Sequence, residues 1–257
     1  METRPLIVAH RGYSAIAPEN TIAALRAGVH AQAAYLEIDV HASADGVPVV
    51  IHDYTLERTT NGTGHVAAHT AAELAALDAG TWHSPEFRGE PVPTLAQVLD
   101  LIADERIGLL LEVKPFLPRD RTAAIIDEIV SRDLTGRVLL QSFDETVLRD
   151  ARDLAPAALR LGLLREELDQ DPVAAARALG CTAYNPGVDA LLAAPEAAAD
   201  LRAAGLLVMV WTTDDVRQWS ALTGLGVSAI ITNRPAELLA WQGAAATHRT
   251  AAPTPAR

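Results

Sequence analysis

Only one cysteine, Cys181, occurs in the 257 residues, which excludes an internal disulfide and any metal centre built on clustered thiolates. A single small thiol beside an apolar run reads as packing and fits a reducing compartment. Zinc-type Cys/His spacing is missing too. Basic residues are scarce: 21 Lys and Arg face 33 Asp and Glu, a formal net charge of -12. That field repels polyanions and argues against nucleic acid and an acidic membrane surface, so a small anionic ligand requires local positive charge. Long apolar runs are also absent near the start. Leu6–Ala9 is too short for a signal-peptide core or a membrane span, so a cytoplasmic location without stable membrane insertion is expected. No basic or aromatic amphipathic stretch suggests a membrane-surface helix.

What is present is ordinary globular composition, 49% hydrophobic and 21% charged, at a length suited to one large α/β domain. Short runs rich in Val, Ile and Leu alternate with Ala-rich stretches of helical period, the pattern of repeated strand–helix units. Eight strands are predicted, at Leu6–His10, Tyr35–Val40, Gly108–Val113, Val138–Ser142, Leu159–Leu163, Thr182–Asn185, Leu206–Trp211 and Ser228–Thr232. Eight such units predict a (β/α)₈ TIM barrel, with its active site at the carboxyl ends of the strands.

Helix ends carry local signals. Asn20, Asp144 and Asp214 are candidate caps, and Gly28, Gly136 and Gly205 are candidate stops. Residues 41–93 break the rhythm and read as a small insertion after the second strand, at the barrel mouth, with a hairpin strand at Pro48–Ile51, an Asn61-Gly62 turn and a short helix near Ala71–Leu77. The barrel domain is expected over 1–241, and 242–257, dominated by Ala, Thr and Pro, as a disordered tail.

The chemistry lies where strands end. Ala9-His10-Arg11-Gly12, Glu37-Ile38-Asp39, Ile51-His52-Asp53 and Glu112-Val113-Lys114 each close an apolar run with ionisable side chains. Desolvating such groups is costly, so four polar strand ends point to one shared site. Alternation puts Glu37 and Asp39 on the face opposite Leu36, Ile38 and Val40, and Glu112 and Lys114 opposite Leu111 and Val113.

Three carboxylates, Glu37, Asp39 and Glu112, make an oxygen-rich site suited to Mg²⁺ or Ca²⁺, with His41 an outside candidate ligand. Arg11 and Lys114 only partly offset them, so a divalent ion is needed before the cluster attracts a phosphodiester monoanion. Arg11 offers a planar fork to phosphate oxygens, and Lys114 a point charge. His10 and His52 suit acid and base roles near neutrality. Phe143 and Trp211 are candidate walls for substrate carbons or ordinary packing, as is Trp82 in the insertion; Asp53 either orients His52 or caps the next turn.

These residues resemble the glycerophosphodiester phosphodiesterase family, cytosolic bacterial type. The resemblance rests on His10-Arg11-Gly12, Pro18-Glu19-Asn20-Thr21, Glu37-Ile38-Asp39-Val40, His52-Asp53, Arg58 through Gly64 and Glu112-Val113-Lys114, and extends to about Trp241. It implies a barrel with a small insertion and hydrolysis of glycerophosphodiesters to sn-glycerol 3-phosphate and an alcohol. Within it, Glu37, Asp39 and Glu112 would hold Mg²⁺, with Ca²⁺ the alternative; His10 and His52 would be general acid and base, and Arg11 and Lys114 would contact phosphate. The resemblance also implies attack by the substrate's own neighbouring glycerol hydroxyl, giving a cyclic phosphate that water opens.

Two positions depart from the pattern. Where the family often reads Trp-Thr-Val-Asn this chain has Trp211-Thr212-Thr213-Asp214, and the usual Thr-Asp-Arg-Pro is Thr232-Asn233-Arg234-Pro235. The first bears on substrate preference, the second on a helix cap. The rival readings are a lysophospholipase D-like or phospholipase D-like activity on acylated substrates, which needs an apolar groove, and a non-catalytic phosphate-ester binding protein, which would be expected to lack a histidine or a metal carboxylate.

Overall fold

The structure, a computed structural model, describes residues 4–250. In chain order the elements are β1 Leu6–Ala9, α1 Ile22–His30, β2 Tyr35–Ala42, β3 Pro48–Val50, α2 Ala71–Ala75, α3 Leu95–Asp104, β4 Gly108–Val113, α4 Arg119–Ser131, β5 Val138–Ser142, α5 Glu145–Leu154, β6 Arg160–Arg165, α6 Pro172–Ala178, β7 Ala183–Pro186, α7 Val188–Ala193, α8 Glu196–Ala203, β8 Leu207–Val210, α9 Val216–Leu225, β9 Ala229–Thr232 and α10 Pro235–Thr250. Strands β1, β2 and β4 to β9 pair in parallel in sequence order, and β1 pairs with both β2 and β9, which closes the eight-stranded barrel.

Alternation along each strand separates two environments. Leu36, Ile38, Val40, Leu109, Leu111 and Val113 face the helical ring, where they pack with residues such as Leu25, Leu99 and Ile125. Burying a side chain of this size stabilises the fold by roughly 1.5–3 kcal/mol. Val8, Leu110, Leu139, Ala183, Met209, Ala229 and Ile231 instead meet inside the barrel and fill it. Further along the strands the inward positions turn polar, to Glu37, Asp39, Glu112, Lys114 and Gln141, all buried.

Strand β2 outruns β1. Its first residues close the barrel at Tyr35 and Leu36, whereas Val40, His41 and Ala42 pair antiparallel with Val50, Val49 and Pro48 of β3. The excursion this starts has an apolar core of its own, built from Val49, Ile51, Leu56, Val66, Leu74, Ala79 and Val92. Pro48 stands at the edge of the hairpin, where its missing N–H costs least.

Several expected boundaries shift for identifiable reasons. Thr21, not Asn20, caps α1 by accepting from Ala24 N–H, and Asp215, not Asp214, caps α9 by accepting from Arg217 N–H. Gly28 lies inside α1, because a Cβ there would come within 2.7 Å of Leu36 Cδ2 and 3.1 Å of Ala9 Cβ. Helix α4 stops at Ser131, well before Gly136, with Asp133 taking the positive φ, while Gly205 follows α8 as expected. The six-residue α7 is an unforeseen addition.

The expected tail begins too early. Helix α10 runs to Thr250, and Gln242 is buried, with its Nε2 donating to Pro5 O at 3.0 Å. Alanine favours helix enough to continue the element without a bulky apolar face. The rest of the proposed tail lies outside the described residues. Cys181 is buried as packing, and burial pushes its thiol up to about 12. Among the described residues no helix is long and apolar enough to cross a membrane.

Candidate active site

The cluster is assembled from strand ends and the segments that follow them. The chain turns sharply after β1: Arg11 has φ 54° and Gly12 φ 82°, and a Cβ on Gly12 would lie 2.4 Å from the Ala24 carbonyl carbon. Glycine is needed there because an L side chain has neither the torsion nor the space. This turn presents His10 and Arg11 to the carboxylates of β2. Arg11 N–H donates to Glu37 Oε2 at 3.0 Å, and His10 Nε2 lies 3.9 Å from the same oxygen.

Glu37, Asp39 and Glu112 each offer an oxygen within 4.8 Å of the others. Lys114 Nζ bridges two of them, 2.6 Å from Asp39 Oδ1 and 2.7 Å from Glu112 Oε1. Asn20, at φ 59°, donates to Asp39 Oδ2 at 2.8 Å and accepts the Asp39 N–H at 3.3 Å, so one side chain holds Asp39 by its carboxylate and by its backbone. Burial, then repulsion from Asp39 and Glu112, holds the Glu37 carboxyl well above its usual range. Burial and Asp39 push Glu112 up to about 7. Burial acts the same way on Asp39, but Lys114 and Arg11 outweigh it and hold that carboxyl below its usual range.

His10 and His52 face the cavity from different supports. The His10 Nδ1 lies 2.8 Å from Asn233 Oδ1, and burial followed by the Arg11 charge lowers the ring to about 4. His52 Nδ1 lies 2.6 Å from Asp53 Oδ1, and its pKa is lowered chiefly by burial. Asp53 in turn accepts from Arg58 Nε at 2.6 Å and Nη2 at 2.9 Å. Arg58 makes a second fork onto Glu19, at 2.9 and 2.8 Å, and Glu19 Oε1 takes Arg11 Nη1 at 2.8 Å. A continuous chain therefore joins His52 to Arg11 across the mouth.

Counting Glu19 and Asp53 with the triad gives five carboxylates against three cations, Arg11, Arg58 and Lys114. A divalent cation brings that cluster to neutrality. Oxygen donors, their mutual distance and the raised carboxyls on Glu37 and Glu112 all fit a hard divalent ion. His41 is not among these donors; its Nε2 lies 3.1 Å from His52 O and its ring packs edge-on against Tyr54.

A cavity opens among His10, Arg11, Glu37, His52, Glu112, Lys114, Gln141, Phe143, Leu164, Trp211 and Ile231. Phe143 and Trp211 meet edge-on at 5.5 Å, and Trp211 is held by its indole N–H to Asn185 O at 2.9 Å. Trp82 does not line this cavity. Its indole donates to Ala79 O and its ring packs against His83, within the excursion. A wider groove adjoins the cavity past His52, between Tyr54, Thr55, Pro115 and Phe143. Glu19, Asn20, Arg58 and Asn233 were legible as motif members or departures, but nothing local to them announced these contacts.

Fold and cluster together define a (β/α)₈-barrel hydrolase whose ionisable groups gather at the carboxyl ends of the strands. The model of the glycerophosphoryl diester phosphodiesterase family matches residues 10–237, and the chain belongs to that family. It is 34% identical to a glycerophosphodiester phosphodiesterase of Caldanaerobacter subterraneus subsp. tengcongensis, over 92% of this chain and 97% of that protein. A solved phosphodiesterase of Oleispira antarctica, in complex with the product sn-glycerol-3-phosphate, superposes with a TM-score of 0.88 at 31% identity, covering 93% of this chain and 97% of that one. The glycerophosphodiester phosphodiesterase from Agrobacterium tumefaciens gives 0.81 at 32% identity, covering 92% and 99%.

Proposed function

We propose that this chain is a Mg²⁺-dependent glycerophosphodiester phosphodiesterase releasing sn-glycerol 3-phosphate and an alcohol. The observation that carries the reading is the convergence of two histidines, two cations and the carboxylates Glu37 and Glu112 on one cavity, with Asp39 close behind them, inside a barrel of this family. Glu37, Asp39 and Glu112 would hold the ion; when bound, it would supply positive charge to the phosphate oxygens. Mg²⁺ is preferred to Ca²⁺ because free Ca²⁺ is scarce in the expected cytoplasmic location.

The Arg11 guanidinium supports phosphate binding. It lines the cavity, held by Nη1 to Glu19 Oε1 at 2.8 Å and with Nε 3.2 Å from Asp39 Oδ2. Lys114 adds fixed positive charge beside it. One histidine takes the proton of the glycerol hydroxyl as its oxygen bonds to phosphorus, and the other gives a proton to the departing alcohol oxygen as the P–O bond breaks. Water then opens the cyclic phosphate with the proton movements reversed. The tethered hydroxyl needs no separate capture, and its proximity lowers the entropic part of the barrier. Phe143 and Trp211 wall the substrate carbons, and the adjoining groove past Tyr54 receives the alcohol.

The test is phosphorus NMR of glycerophosphocholine incubated with the protein, with Mg²⁺, with chelator, and with His10→Ala. Glycerol 3-phosphate formed only by the wild type with metal is the expected result. Full turnover after rigorous chelation overturns the metal reading. Turnover of a lysophospholipid alone moves the substrate to the acylated class for which the groove has room. Binding without turnover of either substrate leaves a phosphate-ester binding protein.

A further inference from the structure

Asp214 and Asn233, the two positions where the sequence departs from its family's pattern, touch each other and through Asn233 touch His10. Asp214 Oδ1 accepts from Thr232 Oγ1 at 2.7 Å and from Asn233 N–H at 2.9 Å, while Oδ2 accepts from Asn233 Nδ2 at 2.9 Å. The opposite end of the same amide, Asn233 Oδ1, lies 2.8 Å from His10 Nδ1 and takes Ser14 Oγ at 2.9 Å. Ser14 Oγ is also 2.9 Å from His10 O, so its one proton is shared between two acceptors.

We propose that Asp214 and Asn233 are a positioning pair for His10: Asp214 fixes which way the Asn233 amide faces, and that amide fixes the proton of the neutral imidazole on Nδ1, leaving Nε2 open to the cavity. The geometry gives the amide one stable orientation. A carboxylate only accepts, so turning the amide over would set Asn233 Oδ1 against Asp214 Oδ2 with no hydrogen between them. With the amide oxygen toward His10, the facing ring nitrogen must carry hydrogen. Nε2, 3.9 Å from Glu37 Oε2, then holds the lone pair.

Asp214 and Asn233 act as one unit, an acid followed by an amide. The two residues are in contact, with the amide next to His10 and the charge one residue behind it. The role in turnover rests on the proposal that His10 moves a proton; the tautomer does not.

The experiment has two arms. In the first, long-range ¹H–¹⁵N correlation on ¹⁵N-histidine protein with Mg²⁺, His10 being assigned by loss of its signals in His10→Gln, reads the tautomer directly. A protonated Nδ1 and an unprotonated Nε2 are expected, with the two signals losing that distinction in Asp214→Asn. An unprotonated Nδ1 in the neutral ring of the wild type overturns the proposal whatever any variant does.

In the second arm, kcat and KM on glycerophosphocholine are measured for Asp214→Asn, Asn233→Asp and the double exchange. Each single variant should lower kcat about 10- to 100-fold with KM nearly unchanged. The exchange should recover to within about threefold of wild type, since it rebuilds an acid–amide pair. Losses that simply multiply in the exchange overturn the proposal. Melting temperatures taken alongside separate unfolding from misplacement. A wild type inactive on this substrate would refute the function proposed above while the NMR arm still decides the positioning.

Discussion

His10 ends a barrel strand with 17% of its side chain exposed, whereas His52 stands on the excursion with 34% exposed. The buried ring is backed by a neutral amide; the open one is backed by Asp53 and, behind it, the Arg58 fork. One residue type is thus placed in two electrostatic settings. A carboxylate beside a ring stabilises its charged form, while burial with an amide partner disfavours that form. The difference teaches that the barrel supplies rigidity and dryness, and the excursion supplies charge that solvent can reach.

The carboxylates between the two regions serve both, so removing one gives the largest effect. Asp39→Asn leaves Lys114 and Arg11 short of a counter-charge and would leave the proposed ion short of a ligand. Turnover should drop below detection, and calorimetric titration should show no Mg²⁺ binding; a variant that still binds the ion at wild-type affinity would remove Asp39 from the ligand set.

Next come the histidines. His10→Ala and His52→Ala should each lower kcat by about 10²- to 10⁴-fold. Added imidazole should restore activity to His52→Ala and not to His10→Ala, because only the former leaves an open place for it. Equal rescue of both would erase the contrast between the regions.

Arg58→Ala cuts the link between the excursion and the β1–α1 turn. Freed from its partner, Asp53 no longer has a fixed direction, and turnover should fall about 10- to 100-fold while thermal stability, for a half-exposed ion pair, changes little. Unchanged kcat would reduce the fork to surface decoration. The smallest effect on activity is expected at Gln242→Ala, remote from both histidines. Loss of its bond to Pro5 should cost about 1 kcal/mol in denaturant unfolding and leave kcat unchanged; a drop in kcat would mean that ordinary destabilisation explains the other variants.

The strands were legible because a buried parallel sheet demands apolar runs, and the strand-end chemistry was legible because ionisable groups interrupt those runs. Parity then placed Glu37, Asp39, Glu112 and Lys114 on one face correctly. Caps were harder. Asn20 and Asp214 carry the right side chains for capping but are used elsewhere, on Asp39 and Asn233, and an adjacent residue does the capping in each case. No local rule separates those uses. Glu19 and Arg58 lie 39 residues apart and meet only once the excursion folds over the β1–α1 turn, so the chain linking His52 to Arg11 had no sequence signature. Gly28 misled in the same way, since its reason lies in the strands it touches rather than in its own helix.

Side chains on loops ordinarily trade accuracy for freedom, yet His52 is tied to the strand that carries the carboxylates. Ile51 N–H donates to Asp39 O at 3.0 Å, Val50 pairs with Val40, and His41 reaches the His52 carbonyl. The span from His52 to the carboxylates is thus set by the hydrogen bonds of β2 itself, while Tyr54 and Phe116 stand exposed to solvent.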